Sequence, residues 1–309
     1  YDYKPLLEKF RGQELPESVR NGQRLTTMTA SQKLTIQPSH FKFKQHGQSG
    51  AWMSELLPHV STLADDICFI KTMHTEAINH EPAITYMQTG NQVTGRPCIG
   101  AWVSYGLGSM NNNLPTFVVL VAQPSNTEQV QAISARLWQS GYLPGEHAGV
   151  SFRSTGDPIL YINNPPGVTK DLRRKTLDGL KALNEINYNT VGDTETHTRI
   201  QQYELAFRMQ TAAPEIMDIS QESKATRDLY GIDQQPTDNF GRQCLLARRY
   251  SERGVRFVQV THSYKWDQHG DLRNGHSNNA KEVDKPIAGL LKDLKARGLL
   301  KDTLVLCGG

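Results

Sequence analysis

The sequence of 309 residues is 37% hydrophobic and 21% charged, which is the balance of a globular protein with a sizeable core. Its formal net charge of +3 is small for this length. The basic pairs Arg173-Arg174 and Arg248-Arg249 fall on helix-like segments, so we expect no nucleic-acid partner. No apolar run approaches the ~20 residues that cross a bilayer, so we also expect no membrane span.

The first half of the chain alternates between helical and strand-like patterns. Helical periodicity predicts a helix over 49–66, and the apolar run 67–70 directly after it predicts a buried strand. Beyond a polar loop, a helix is expected to begin near Pro82, because proline suits the first helical turn, and to end at Thr89-Gly90. Two further elements are predicted, a short helix at 99–107 and a strand at 116–122.

The second half changes character near residue 165. Charge-rich amphipathic patterns with few apolar runs lead us to interpret 165–237 as a helical insertion or cap over the sheet. Strands and helices then alternate again, which favours a mainly parallel sheet covered by helices on both faces, within a single domain over 1–309. The predicted elements are helices at 171–187, 193–211, 238–253 and 278–297, and strands at 255–261 and 303–307.

The loop after the predicted strand 255–261 is rich in residues that bind metals. Within fifteen positions it contains His262, Asp267, His269, Asp271 and His276. Imidazole and carboxylate groups suit zinc, manganese and iron, and loops at the carboxyl ends of parallel strands are where α/β proteins bind ligands. The pattern predicts a divalent-metal site with Asp267, His269 and His276 as ligands. The alternative is that each histidine is an ordinary surface or hydrogen-bonding residue.

A second polar loop, after the run 67–70, carries His74, Asn79 and His80. In a parallel sheet both loops leave the same edge, so they are expected to converge although about 190 residues separate them. A divalent ion there would polarise a phosphoryl or sulfuryl oxygen. The catalytic roles stay open at this point. His80 is a candidate metal ligand, general acid or nucleophile, Asn79 and His74 are candidate contacts to non-bridging oxygens, and Thr72 and Thr75 compete as nucleophiles.

Two segments resemble the sulfatases and phosphodiesterases of the alkaline phosphatase superfamily. The run 276–309, in which a helix containing Asp284 leads through Asp302-Thr303 into a strand, resembles their late region. The segment 80–90 resembles the sulfatase signature helix, including its proline and its closing Thr-Gly. His80 stands where that signature has its modified cysteine nucleophile, and the signature arginine is absent, which argues against formylglycine sulfatase chemistry.

The chain resembles more closely the sulfatase-like bacterial family DUF1501, over nearly its whole length. The motifs that carry this resemblance are 2–5, 45–50, 54–59, 79–80, 88–90 and 266–269. The resemblance implies an alkaline phosphatase-like three-layer α/β/α sandwich, an exported or periplasmic location, and metal ligation by Asp267 and His269 with His276 as a third candidate. It also implies an acidic ligand before Tyr1 and further ligands after Gly309, so we expect the domain to be truncated at both ends.

Two hypotheses for the function follow. The first is a metal-dependent hydrolase of phosphate or sulfate esters, acting on a small molecule or a polysaccharide. The alternative is a non-catalytic, exported binding or structural module that keeps the fold, and the histidine at position 80 favours this alternative. The clustering of Asp267, His269 and His276 favours the enzyme, because a scaffold has no need of clustered ligands. A phosphomutase-type transfer would require an activated threonine or serine that the pattern does not identify.

Overall fold

The fold combines helices with short strands, and a computed structural model describes it over residues 2–20, 22, 25, 29–122, 134–153, 157–159, 162–262 and 266–308. The expected truncation concerns Tyr1 and Gly309, which lie outside the described residues. The strands are β1 (Phe43–His46), β2 (Ala51–Ser54), β3 (Phe117–Val121), β4 (Val150–Phe152) and β5 (Phe257–Thr261). The helices are α1 (Leu6–Lys9), α2 (Glu17–Arg20), α3 (His80–Thr89), α4 (Ile99–Leu107), α5 (Lys170–Val191), α6 (Thr194–Met217), α7 (Lys224–Tyr230), α8 (Asp238–Glu252) and α9 (Leu272–Ala296), and 3-10 helices cover Val60–Asp66, Ala135–Trp138 and Gly145–His147.

A parallel sheet lies at the centre of the described fold. Strand β3 lies between β4 and β5 and pairs with both in parallel, so that Val119 is level with Ser151 and with Gln259. The central strand is a continuous apolar run whose residues 117–120 are buried, as expected for a strand covered on both faces. The predicted strands at 116–122 and 255–261 and their parallel pairing are confirmed.

Helices cover both faces of β3. Because successive side chains of a strand point to opposite faces, Val118 and Leu120 face one side, where they pack with Leu246 and Tyr250 of α8. Phe117 and Val119 face the other side, where they pack with Cys98 and with Ala101 of α4. The arrangement is a mixed α/β fold with a small parallel sheet of three strands.

The segment 49–66, predicted as one helix, forms a strand and a 3-10 helix instead. Strand β2 pairs antiparallel with β1 around a turn at 47–50, and Trp52 is exposed while Met53 is buried, which is the alternation of a strand. The Asp65 carboxylate accepts hydrogen bonds from the backbone N–H groups of Gln48 (2.9 Å) and Ser49 (2.8 Å). The prediction was wrong because this hairpin depends on a contact between the turn and a residue 16 positions further along the chain.

The apolar runs 67–70 and 303–307, predicted as buried strands, join no sheet within the described residues. Their side chains are largely exposed, with 67% of Ile70 and 82% of Leu304 accessible to solvent. Cys68 in the first run and Cys307 in the second are exposed as well. An apolar composition favours a strand, but a strand forms only where a neighbouring backbone supplies hydrogen-bond partners.

The predicted helices agree better with the structure. The helix expected from Pro82 to Gly90 is α3, the one expected at 99–107 is α4, and the amphipathic pair expected at 171–187 and 193–211 is the α5–α6 hairpin. The C-terminal part of α6 packs against the sheet, because Ala213 and Ile216 lie in the same core as Leu120. The interpretation of 165–237 as an insertion stays a prediction. Within the described parts of the chain, every helix is too short or too polar to cross a membrane.

A buried network of charges connects α8 to its neighbours. Arg248, only 3% exposed, lies 2.8 Å from Glu222, 2.6 Å from Glu252 and 3.1 Å from Asp293 of α9. The Tyr230 hydroxyl of α7 donates a further hydrogen bond to Asp293 (2.8 Å). A buried charge without a partner is strongly unfavourable, so each of these groups depends on the others.

Arg248→Ala is expected to lower the free energy of unfolding by about 3–5 kcal/mol, because it removes the buried cation that contacts Glu222, Glu252 and Asp293 at once. The matched control is Arg253→Ala, since Arg253 is half exposed and pairs with Glu215 on the surface at 2.9 Å. That control should lose only about 0–1 kcal/mol. Urea unfolding followed by circular dichroism measures both values, and equal losses would contradict the network's importance.

The environment of Glu222 makes the stability of the fold depend on pH. Burial acts to raise the pKa of Glu222, but hydrogen bonds from Arg249 and Arg248 outweigh burial and hold the pKa below its ordinary value. A carboxyl group whose pKa is lower in the folded state than in the unfolded state stabilises the fold. This stabilisation is complete above the pKa in the unfolded state, about 4.3, and is lost as the pH falls through the pKa in the folded state. We therefore expect the melting temperature of Glu222→Gln to fall less steeply than that of the wild type as the pH is lowered from 5 toward 3, about the range in which carboxylates titrate.

Candidate metal site

Three side chains from two distant parts of the chain meet at the surface, and we call them the His80 cluster: His80, Asp267 and His269. Their ligand atoms all lie within 4.8 Å of one another. Both imidazoles contact the same carboxylate oxygen, since Asp267 Oδ2 lies 2.9 Å from His80 Nε2 and 2.7 Å from His269 Nε2. The side chains of His80 and His269 are 57% and 71% exposed, so a solute can reach the cluster from the solvent.

Helix α3 fixes the position of His80, which is its first residue. Asn79 before it has an extended backbone, and its carbonyl oxygen accepts the N–H of Ala83 (3.0 Å) at the start of the helix. The neighbouring Glu81 forms an ion pair with Arg136 (2.7 Å) on the 3-10 helix 135–138. These contacts connect the first turn of α3 to a separate part of the chain.

The loop between β5 and α9 fixes Asp267 and His269. Trp266, directly before Asp267, lies between two imidazoles, with ring centroids 6.0 Å from His262 and 5.6 Å from His276. Positions 263–265 of this loop lie outside the described residues. The loop therefore leaves the carboxyl end of the parallel strand β5, as the sequence predicted, and Trp266 packs inward beside the exposed ligands.

Two nearly buried side chains, His262 and Glu282, form a pair behind Trp266. His262 Nε2 lies 3.0 Å from Glu282 Oε2 of α9, and the two side chains are 10% and 9% exposed. The ring of Phe240 of α8 meets the His262 ring edge to face at 5.4 Å. The Glu282 carboxylate orients the imidazole against which Trp266 packs, so α9 supports the loop from behind.

The structure does not bring all of the predicted site residues together. His276 lies in α9, where burial lowers its pKa, and it is not in the His80 cluster. His74 lies in the exposed irregular segment that follows 67–70, and Asn79 is exposed beside His80. Their predicted roles, as metal ligand and as contacts to the substrate, stay predictions.

The donor set of the His80 cluster suits a divalent ion. Two imidazole nitrogens and one carboxylate are the ligands that zinc, manganese and iron accept, and three protein ligands leave room for a further ligand from solution. Sequence reasoning had named all three residues, but it missed Trp266 and Glu282 as supporting residues. The available signal for Trp266 was its place in the motif 266–269, directly before Asp267.

Comparison with known proteins gives a family without an assigned activity. A family model described as "Protein of unknown function (DUF1501)" matches residues 1–309. No curated protein and no solved structure matches the chain. The match therefore covers the whole chain but carries no substrate, cofactor or mechanism with it.

If the His80 cluster binds Zn²⁺ or Mn²⁺, Trp266→Ala is expected to weaken that binding by about 10–100-fold, because it removes the ring that packs between His262 and His276 without removing a ligand. Calorimetric titration of the folded variant measures the affinity. Trp102→Ala is the matched control, since Trp102 is 44% exposed on α4 and is expected to leave the affinity unchanged. An unchanged affinity in Trp266→Ala would show that the loop holds its ligands without this ring.

Proposed function

The chain belongs to the DUF1501 family, and we propose that it is a metal-dependent hydrolase of phosphate or sulfate esters. The observation that carries the proposal is the His80 cluster, in which a residue of α3 meets two residues 187 and 189 positions further along the chain. The donor set and its exposure both support a site that takes a substrate from solution.

A divalent ion held by His80, Asp267 and His269 would polarise a phosphoryl or sulfuryl oxygen of the bound ester. Side chains of the protein would bind and orient the ester. The exposure of the His80 and His269 rings leaves one side of the cluster open among the described residues, so an ester can approach the two imidazoles there. Asn79 and His74 are proposed to donate hydrogen bonds to the non-bridging oxygens.

Among the roles open to His80, we propose that of metal ligand. Its Nε2 faces the Asp267 carboxylate at 2.9 Å, which is the direction a shared ion requires. A nucleophile would instead have to direct this nitrogen toward the substrate. The hydroxyl of Thr75 accepts the N–H of Ala77 (3.1 Å) and lies in the exposed segment, so it remains the competing nucleophile together with Thr72.

We also propose that the chain has the larger architecture that the sequence resemblance implied, an alkaline phosphatase-like three-layer α/β/α sandwich. Its support is the central strand β3, which carries helices on both faces, and the position of Asp267 and His269 at the carboxyl end of β5. Export from the cell and a polysaccharide or small-molecule ester as substrate are proposed on the same resemblance.

The test combines metal analysis with an activity screen on the full-length protein. We expect one or two equivalents of a divalent metal (zinc, manganese or iron), together with hydrolysis of a p-nitrophenyl phosphate or sulfate ester. Asp267→Ala and His269→Ala should lose both properties. His197→Ala is the matched control, because His197 is also exposed but lies on α6, and it should keep both.

Each possible result decides part of the proposal. If the wild type contains no metal and binds none on titration, the metal site is refuted together with the hydrolase. If metal binds and depends on Asp267 and His269 but no ester is cleaved, the hydrolase is refuted and the alternative, a non-catalytic binding module, takes its place.

A further inference from the structure

Helix α5 exposes a row of apolar residues along its length. Leu172, Leu183 and Ile186 are 50%, 64% and 65% exposed, although leucine and isoleucine are normally buried. The opposite face of the helix is the one that packs in the described fold. Leu177 there is 3% exposed, and Arg174 forms an ion pair with Glu204 of α6 (2.6 Å). Helix α5 therefore has one face covered by α6 and a second apolar face in contact with solvent.

The exposed row has the spacing of a coiled coil. Its positions follow one another at alternating intervals of four and three residues, which is the a/d pattern of a heptad repeat. We call this row the α5 seam, and it consists of Leu172, Thr176, Gly179, Leu183, Ile186 and Thr190. A straight row of this kind is the surface that a second helix covers.

The polar and small members of the α5 seam fit the same interpretation. The hydroxyls of Thr176 and Thr190 donate hydrogen bonds to the carbonyl oxygens of Leu172 and Ile186 (both 2.8 Å), so only their methyl groups need a partner. Gly179 has open space where a side chain would lie. A glycine inside a helix weakens the helix, and its usual justification is the close approach of another backbone.

The α5 seam is complementary to itself when the helix direction is reversed. Around Lys181 as centre, Leu172 comes level with Thr190, Thr176 with Ile186, and Gly179 with Leu183. Each pair joins a large side chain to a small one, so large groups of one helix enter the spaces left by small groups of the other. A two-fold axis brings each residue opposite its counterpart in this way, because the same patch is used on both copies.

The charges along α5 select the same antiparallel arrangement. The half of α5 before Lys181 carries more cations than carboxylates, whereas the half after it, up to Val191, carries no cation and one carboxylate, Glu185. The charges of the first half are Lys170, Arg173, Arg174 and Lys175 against Asp171 and Asp178. In an antiparallel pair the basic half of each copy lies beside the half of the other that has no cation, whereas a parallel pair would bring the two basic halves together.

We propose that the protein is a homodimer in which the α5 seams of two copies form an antiparallel coiled coil about a two-fold axis. The occupant of the exposed face is a second copy of this chain. A membrane surface is disfavoured, because the apolar row is narrow and includes a glycine and two threonines, and because the half of α5 after Lys181 carries no cation to attract anionic lipids.

Sedimentation velocity over a range of concentrations tests the proposal on the full chain. The wild type should sediment as a dimer, and Leu183→Asp should shift it to a monomer with an unchanged circular dichroism spectrum. Leu107→Asp is the matched control, since Leu107 is also a helical leucine that is 64% exposed, and it should remain a dimer. A monomeric wild type at every concentration, or a dimer that persists in Leu183→Asp, overturns the proposal.

Gly179→Leu separates assembly from folding. Leucine favours a helix more than glycine does, so the variant should melt at the same temperature as the wild type or higher. Its side chain would occupy the space that Leu183 of the other copy needs, so the variant should be monomeric. Wild-type dimerisation in this variant overturns the proposed register. Co-sedimentation of the wild type with anionic phosphatidylserine vesicles, lost in Leu183→Asp, would overturn the dimer in favour of a membrane-binding face.

Discussion

The described fold depends on three carboxylates that are buried along one helix, α9. Glu282, Asp284 and Asp293 are 7%, 3% and 7% exposed, and a buried carboxylate is strongly unfavourable unless it is paired or hydrogen-bonded. Each of them has a partner from a different part of the chain. Glu282 contacts His262 after β5, and Asp284 accepts hydrogen bonds from the backbone N–H groups of His59 and Val60. Asp293 contacts the Tyr230 hydroxyl and Arg248. Helix α9 therefore connects the N-terminal hairpin region, the end of the sheet and the helices α7 and α8.

Helix α9 also supports the His80 cluster, through its contact with Trp266. The loop that carries Asp267 and His269 is bounded by β5 in the sheet and by α9, and Trp266 packs between rings that belong to these two sides. His80 arrives separately on α3. Because both imidazoles contact one oxygen of Asp267, an ion would find its three ligands already close to one another.

The sequence predicted the local features of the fold better than the distant ones. Helices α4 and α8 and strands β3 and β5 follow from periodicity within a short window, which is a local property. The runs 67–70 and 303–307 have the same apolar character, but a strand requires a partner that no local pattern specifies. Asp267 and His269 were visible as neighbours in sequence. The contact with His80 was expected from a strand at 67–70 that does not form, and it depends instead on the position of α3.

The apolar residues of helix α5 lie on two faces of the helix, and only one of these faces is covered in the described fold. Its amphipathic sequence predicted a helix and one packing face, and α6 covers that face around Leu177. A helix that is apolar on a further face requires a further partner. Since Gly179 and Leu183 exchange places when the helix is reversed, and since the cations of α5 lie on one side of the same centre, the surface that fits α5 best is α5 itself.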